Sequence, residues 1–172
     1  MRKDSVDRLI EEHIWADFPA LDAQVEGIVN RISVLTKYLK RSFDETASEF
    51  GINKGELDVL KLLRRTEGPH RLSPSQLSER LHLSSGATTN RLDRLETQGL
   101  IERLPDKSDR RGVIVQLTDK GDEIFHSAIE RQIEKEKALI APLSASERDE
   151  LAKALRKLIV EIESAPGFPW KH

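Results

Sequence analysis

Apolar residues recur every three or four positions along most of this chain, a spacing that predicts a mainly helical protein. A short amphipathic helix is expected over residues 4–14. A long helix follows, with Asp22 as its N-cap and Gly51 at its end. Asn53 is placed to cap a third helix over 54–66, whose apolar residues cover most of its circumference, so this helix should be buried on several sides.

The middle of the chain, residues 71–121, changes its pattern from helix to strand. A capping box at Ser73–Gln76 opens one helix, and a tight turn leads to a second helix over 85–98, which closes at Gly99. Two short apolar runs, Ile101–Leu104 and Val113–Leu117, then predict a β-hairpin with a charged tip. Helix, turn, helix and hairpin in this order predict a winged helix-turn-helix, an arrangement that places its second helix in the DNA major groove.

Long helices are also expected after the hairpin. One is capped by Thr118 and broken near Pro142, and a capping box at Ser144–Glu147 opens the last one. The fold class is therefore mainly α with a small β-hairpin, a winged helix-turn-helix flanked by N- and C-terminal dimerisation helices. We expect three parts: 1–50 for dimerisation and ligand binding, 51–118 for DNA binding, and 119–172 for dimerisation.

The flanking helices carry apolar stripes that a module of this size cannot cover, which predicts a two-fold homodimer. The alternative is that these helices fold back onto their own module.

Composition narrows the function further. Charged residues make up 34% of the 172 residues, aromatics 5%, and the formal net charge is -2. The absence of cysteine excludes disulfides, thiolate catalysis and the commoner zinc sites. No apolar stretch is long enough to cross a membrane and no signal-peptide pattern is present, so we expect a cytoplasmic protein. With this charge balance, DNA binding has to come from a local arrangement of basic residues.

The helix over 85–98 has two unlike faces. Leu92 and Leu95 lie on the inward face, whereas the opposite face is polar and begins with short side chains. Short side chains allow close approach to base edges, and Asn or Arg can pair bidentately with adenine or guanine. A solvated face is the plain alternative, but the preceding helix and the following hairpin favour DNA. The candidate contacts at this helix are Ser84, Ser85, Gly86, Thr88, Thr89, Asn90 and Arg94.

The hairpin tip adds a second candidate contact with DNA. Lys107, Arg110 and Arg111 crowd a short turn, from which they can reach phosphates or an adjacent minor groove. Asp109 shares the tip, and an acid among basic residues suits a role in bracing an arginine.

Arg91 interrupts the inward face of the same helix. A guanidinium there needs a carboxylate, a carbonyl or a bound ligand, because an unpaired buried charge is costly. Two interpretations stay open. Arg91 either makes a buried or interfacial ion pair or extends to the edge of the apolar stripe, or else it lines a small-molecule site at the root of the helix.

The segment SPSQLSERLHLSSGATTNRLDRLETQGLIERL, the DRR at 109–111 and QLTDKG at 116–121 resemble the MarR family of bacterial transcription regulators, and the resemblance covers nearly the whole chain. Within that family the chain is most similar to the urate-responsive branch of UrtR- and PecS-like proteins, which adds an N-terminal helix bearing a tryptophan. The branch's ligand-site pattern maps onto Trp15, Asp58, Arg91 and Arg103.

This resemblance implies a repressor dimer on an inverted-repeat operator, released when urate or a related purine such as xanthine binds. Trp15 would stack on the purine, Arg91 or Arg103 would engage its anionic oxygens, and Asp58 would pass strain to the recognition helix. The residue types suit a planar anion. Plain alternatives are that Trp15 plugs the dimer core and that Asp58 is a solvated acid.

The sequence also allows two alternatives to a urate-responsive regulator. The inducer can instead be a phenolic or other lipophilic anion, or the winged helix can be a protein-interaction module. The histidines lie in separate elements with no HExxH motif, and there is no glycine-rich phosphate loop, so neither an enzyme nor a resident cofactor is expected. A metal-sensing variant would need His and carboxylates brought together by folding.

Overall fold

A computed structural model describes residues 3–11, 21–66, 68, 70–106 and 112–165 of the chain. The described residues are mostly helical, as predicted, with a small antiparallel sheet in the middle. In chain order the elements are α1 (Ser5–Glu11), α2 (Ala23–Glu49), α3 (Lys54–Arg64), β1 (Arg71–Leu72), α4 (Pro74–Arg80), α5 (Ser85–Thr97), β2 (Ile101–Pro105), β3 (Val113–Leu117), α6 (Asp119–Ile140) and α7 (Ala145–Ser164).

Most helix starts follow the capping signals in the sequence. The helices α2, α3, α4, α5 and α7 each begin one residue after a side chain that accepts a backbone N–H from the first turn, which satisfies donors that a helix leaves free. The α3, α4 and α7 starts are reciprocal capping boxes. The N-caps are Asp22, Asn53, Ser73, Ser84 and Ser144.

The sheet has three strands rather than the two-stranded hairpin that the sequence predicts. Its order is β1-β3-β2, with both pairs antiparallel. The third strand, β1, is only two residues long, and Leu72 pairs with Val115. A strand this short carries no alternation, so hydrophobic periodicity could not have revealed it.

Contacts divide the described residues into two units, one up to Ile129 and one from Glu130. From the sequence, we expect the DNA-binding part to end at residue 118. In the structure the first turns of α6 also pack with the first unit, because Ala128 is fully buried in the core of that unit. That core is formed by leucines of α3, α4 and α5 together with the inner face of the sheet. Its fully buried side chains include Leu60, Leu63, Leu77, Leu92, Leu95, Ile101 and Val115.

The start of α6 is fitted closely to the end of α5. The Thr118 hydroxyl donates to Gly99 O at 2.8 Å and accepts from the Gly121 backbone N–H at 3.0 Å. Lys120 Nζ donates to Gln98 O at 2.7 Å, which gives the C-terminal end of α5 a cationic partner. Position 121 has room only for glycine, because a Cβ there would overlap the Leu100 carbonyl oxygen. These contacts explain the roles of Thr118, Lys120 and Gly121 in the TDKG sequence at 118–121.

The α2 and α7 helices carry apolar side chains that their own unit leaves exposed. No residue of α7 is buried, although most of its large apolar residues follow one face of the helix. The exposed apolar side chains of α2 are Val25, Ile28, Val29, Ile32, Leu35 and Tyr38, and those of α7 are Leu151, Leu155, Leu158, Ile159, Val160 and Ile162.

Among the described helices, none has the length and apolar character needed to span a membrane.

A Gly121→Ala substitution tests the fit between α5 and α6. We expect it to destabilise the protein by about 1–3 kcal/mol, because the added methyl group meets backbone atoms that cannot move aside. Gly86→Ala is the matched control, since beyond its chain neighbours and its own helix backbone no atom lies within 4 Å of its Cβ position, and it should stabilise α5 by about 0.5–1 kcal/mol.

Urea denaturation at one fixed protein concentration measures both variants. A Gly121→Ala protein as stable as the wild type would show that the end of α5 is not held at this point.

Candidate nucleic-acid interface

The two faces of α5 separate as the sequence predicts. Thr88, Leu92 and Leu95 are buried, and the side chains at Thr89 and Asn90 are exposed. Ser84 accepts the Ala87 N–H at 3.3 Å, so the helix starts directly after the turn. The exposed surface at the start of α5 therefore consists of short polar side chains and the N–H groups of the first helical turn, which suit close approach to phosphates and base edges.

Thr88 belongs to the core side of this helix and not to its exposed face. Its hydroxyl accepts from Ser78 Oγ at 2.9 Å and donates to Ser84 O at 3.1 Å. Because the side chain is only 1% exposed and its hydrogen bonds are made within the protein, we remove Thr88 from the predicted DNA contacts. Its hydroxyl instead ties α4 to α5.

Arg94, one turn after Asn90, forms an ion pair with an acid that the sequence analysis does not single out. Its Nε lies 2.7 Å from Oε1 of Glu56, in the first turn of α3. The Glu56 side chain is fully buried, whereas the Arg94 side chain is 63% exposed. The other carboxylate oxygen, Oε2, accepts the Asn53 N–H at 2.9 Å and completes the α3 capping box. The N-x-x-E spacing of residues 53–56 is the sequence signal that could have identified Glu56.

Arg91 finds a carbonyl rather than a carboxylate. Its Nη1 donates to Gly55 O over a long 3.4 Å, and its side chain is half-buried. The guanidinium lies so close to α3 that a Cβ at Gly55 would be 2.6 Å from Arg91 Cζ. Arg91 and Arg94, three residues apart on α5, thus both contact the first turn of α3.

Arg103 of β2 also contacts α5, through two acids that lie on a different side of the helix from Arg91 and Arg94. Its Nη2 lies 2.7 Å from Asp93 Oδ1 and its Nη1 lies 2.5 Å from Glu96 Oε2. Partial burial lowers the pKa of Arg103, but the hydrogen bonds and negative charges of these two acids outweigh it, so the pKa lies above its usual value. The guanidinium therefore remains charged and neutralises two acids of α5.

The wing is the hairpin of β2 and β3, and the structure describes it up to Asp106 and again from Gly112. The strands β2 and β3 pair from Ile101 with Leu117 to Pro105 with Val113. The Asp106 N–H donates to Gly112 O at 3.0 Å and closes the hairpin there. The predicted wing contacts Lys107, Asp109, Arg110 and Arg111 lie outside the described residues.

Of the four predicted ligand residues, the structure describes Asp58, Arg91 and Arg103. Trp15 lies outside the described residues. Asp58 pairs with Lys54 one turn earlier on α3, at 2.8 Å. Arg91 contacts the same end of α3, but Arg103 is engaged by α5, and no hydrogen bond or ion pair among the described residues joins Asp58, Arg91 and Arg103. Within those residues, no group of three or more His, Asp or Glu side chains is arranged to hold a metal ion.

Comparison with known proteins gives a consistent result. The MarR family model matches residues 52–113. The chain is 33% identical to the HTH-type transcriptional regulator PecS of Dickeya dadantii, over 81% of this chain and 84% of PecS. It is 35% identical to the transcriptional repressor MprA of Escherichia coli K12, over 66% of this chain and 64% of MprA.

A solved structure supports the same relationship. A cysteine-to-serine mutant of E. coli MarR complexed with operator DNA superposes with a TM-score of 0.59 and 29% identity, covering 78% of this chain and 95% of that one. The family-model match spans α3 through the wing, and the similarity to PecS extends over most of the chain. This chain therefore belongs to the MarR family of transcriptional regulators.

Proposed function

We propose that this protein is a ligand-responsive repressor that binds an inverted-repeat operator as a homodimer. The observation that carries the proposal is the exposed face of α5, which starts with short polar side chains and continues to an arginine held in place by a buried acid. An α-helix with such a face fits the major groove and can read base edges there. The proposed contacts at this helix are Ser84, Ser85, Gly86, Thr89, Asn90 and Arg94.

The wing supplies the second set of DNA contacts in this proposal. The described hairpin closes at Asp106 and Gly112, immediately beside the basic residues of the tip. Lys107, Arg110 and Arg111 would bind phosphates or the minor groove next to the recognition helix, and Asp109 would brace an arginine. Because the net charge of the chain is -2, these local cations have to provide the attraction to DNA.

The homodimer is supported by the uncovered apolar faces of α2 and α7. On α2, Val25, Ile28, Val29 and Ile32 follow one helical face and are about half exposed. Apolar faces of this extent mark interfaces, and a second copy of the chain supplies a matching face by symmetry. Two recognition helices related by a two-fold axis would read half-sites one helical turn apart, which is an inverted repeat.

The ligand is proposed to be urate or a related purine that acts through Arg103. In the described structure Arg103 neutralises Asp93 and Glu96 on the recognition helix. An anionic ligand that drew Arg103 away would leave two negative charges on α5, which would repel DNA phosphates and favour release. Trp15, Asp58 and Arg91 would complete the site. A phenolic or other lipophilic anion is the second candidate, since it can engage the same guanidinium.

A transcription regulator acts on chromosomal DNA. We therefore expect the protein to work in the cytoplasm of a bacterial cell.

The role of Arg103 predicts a direct effect on DNA affinity. Arg103→Gln should weaken binding to the promoter duplex by roughly threefold to tenfold at low salt, because Asp93 and Glu96 lose their countercharge. The deficit should shrink as salt is raised, since salt screens exposed charges. Arg41→Gln is the matched control, because it also removes one arginine from an ion pair, on α2 with Glu45.

Fluorescence anisotropy over a salt series measures this effect. Equal losses in the two variants, or a deficit that does not depend on salt, would contradict the neutralising role of Arg103.

The ligand proposal is tested on the protein's own promoter region with urate, xanthine and salicylate as competitors. We expect the wild type to bind the duplex and the purines to release it. Trp15→Phe should bind DNA normally yet need several-fold more urate, because a smaller ring stacks less strongly. Trp170→Phe, which changes the other tryptophan of the chain, should respond like the wild type.

Release by salicylate without release by either purine would favour the phenolic alternative. If the wild-type protein bound no duplex from the promoter region, the proposal that it binds DNA would be refuted.

A further inference from the structure

Glu56 is a buried acid whose negative charge is not explained by its role at the helix end. It completes the α3 capping box through Oε2, but a glutamine performs the same capping function. The chain provides its own comparison, since the α4 box uses Gln76, whose Oε1 accepts the Ser73 N–H at the same 2.9 Å. A full charge with no exposed surface is costly to keep where a neutral side chain would serve.

The remaining oxygen of this carboxylate faces Arg94. Glu56 Oε1 accepts no hydrogen bond, and its charged partner is the guanidinium of Arg94, whose Nε lies 2.7 Å away in an ion pair. In a planar guanidinium the Nη1–Nη2 edge lies beyond Cζ, on the side away from Nε. The ion pair therefore holds Arg94 on its Nε side, and the edge that can pair bidentately with two acceptors is left for another partner.

The position of Arg94 indicates which partner that is. Asn90 and Arg94 are four residues apart, so they share the exposed face of α5. Arg94 remains 63% exposed although its Nε is paired. The acceptor pairs that a recognition helix meets are phosphate oxygens and the O6 and N7 atoms of guanine.

We propose that Glu56 is a positioning residue that fixes Arg94 before DNA binds, so that its Nη1–Nη2 edge faces a paired acceptor on the duplex. The inference rests on the proposed DNA-binding function and adds to it an acid that never touches DNA. A long arginine side chain loses rotamer freedom when it is ordered by a partner, and ordering it in advance removes that cost from the binding step. A buried carboxylate suits this role because its own position is fixed by the helix cap.

A double-mutant cycle of Glu56→Gln and Arg94→Gln tests the inference. Glutamine at 56 keeps an acceptor for the Asn53 N–H but offers Arg94 no negative charge. We expect Arg94→Gln to weaken promoter binding by roughly tenfold and Glu56→Gln by about threefold to tenfold. The double variant should be no weaker than Arg94→Gln alone, because Glu56 acts through Arg94.

The matched control is Glu45→Gln, which removes one acid from an exposed ion pair with Arg41 on α2. It should bind the promoter duplex like the wild type. Thermal denaturation of each variant checks that the fold is kept.

Two duplexes over a salt series separate the two acceptors. If Arg94 pairs with a phosphate, each variant loses as much affinity for an unrelated duplex as for the promoter, and the slope of log K against log salt falls by about one in Arg94→Gln, which removes the cation. If it pairs with a guanine edge, the loss is confined to the promoter duplex and the slope is kept.

A Glu56→Gln protein that binds like the wild type, or single losses that add in the double variant, would overturn the inference and leave DNA binding intact. If Arg94→Gln alone had no effect, Arg94 would drop out of the proposed DNA contacts, and the positioning role would fall with it. A wild-type protein that bound neither duplex would instead refute the proposed function.

A second measurement does not depend on the folding of Glu56→Gln. In the free wild-type protein, NMR relaxation of the Arg94 Nε–H, assigned by its loss in Arg94→Lys, should show an ordered side chain. An Arg94 Nε–H as mobile as that of the exposed Arg80 would show that the side chain is not positioned in advance, and would overturn the proposal.

Discussion

The packing of α5 against α3 is the contact on which the DNA-facing surface depends. Leu92 and Leu95 bury the inner side of α5 in the core that Leu60 and Leu63 of α3 help to form. Burial of these side chains fixes which face of α5 remains outside. The polar contacts at the edges of the helix then limit its rotation, because each arginine at the edge reaches a defined partner.

Three arginines hold α5 at its polar edges. Arg94 pairs with a buried acid, Arg91 lies against the Gly55 backbone, and Arg103 neutralises two acids of α5 itself. In a chain with a net charge of -2, attraction to DNA cannot come from bulk charge, so the placement of individual cations decides affinity. The C-terminal end of α5 is joined to the start of α6 by Thr118, Lys120 and Gly121.

Much of this architecture is predictable from local sequence. Helix caps at Asp22, Asn53 and Ser73 are encoded by residues close together in the chain, and the structure confirms them. The exposed face of α5 follows from helical periodicity alone. The two-residue strand β1 does not, because it exists only through pairing with β3. The same holds for the partners of Arg91 and Arg94, which come from α3 more than thirty residues earlier. Periodicity flagged Arg91 as unusual, but only the fold shows that its partner is a carbonyl.

The most direct test of the central claim, that the exposed face of α5 enters the major groove of an inverted repeat, uses the absence of cysteine from the sequence. An Asn90→Cys protein carries a single thiol on this face, to which an iron–EDTA cleavage reagent can be attached. On the promoter duplex we predict two clusters of strand cleavage, roughly 10 base pairs apart from centre to centre or a multiple of that spacing, one from each copy in a dimer. The same reagent at Glu45→Cys on α2 serves as the control. A single cluster, or cleavage no more localised than that from Glu45→Cys, would contradict the account.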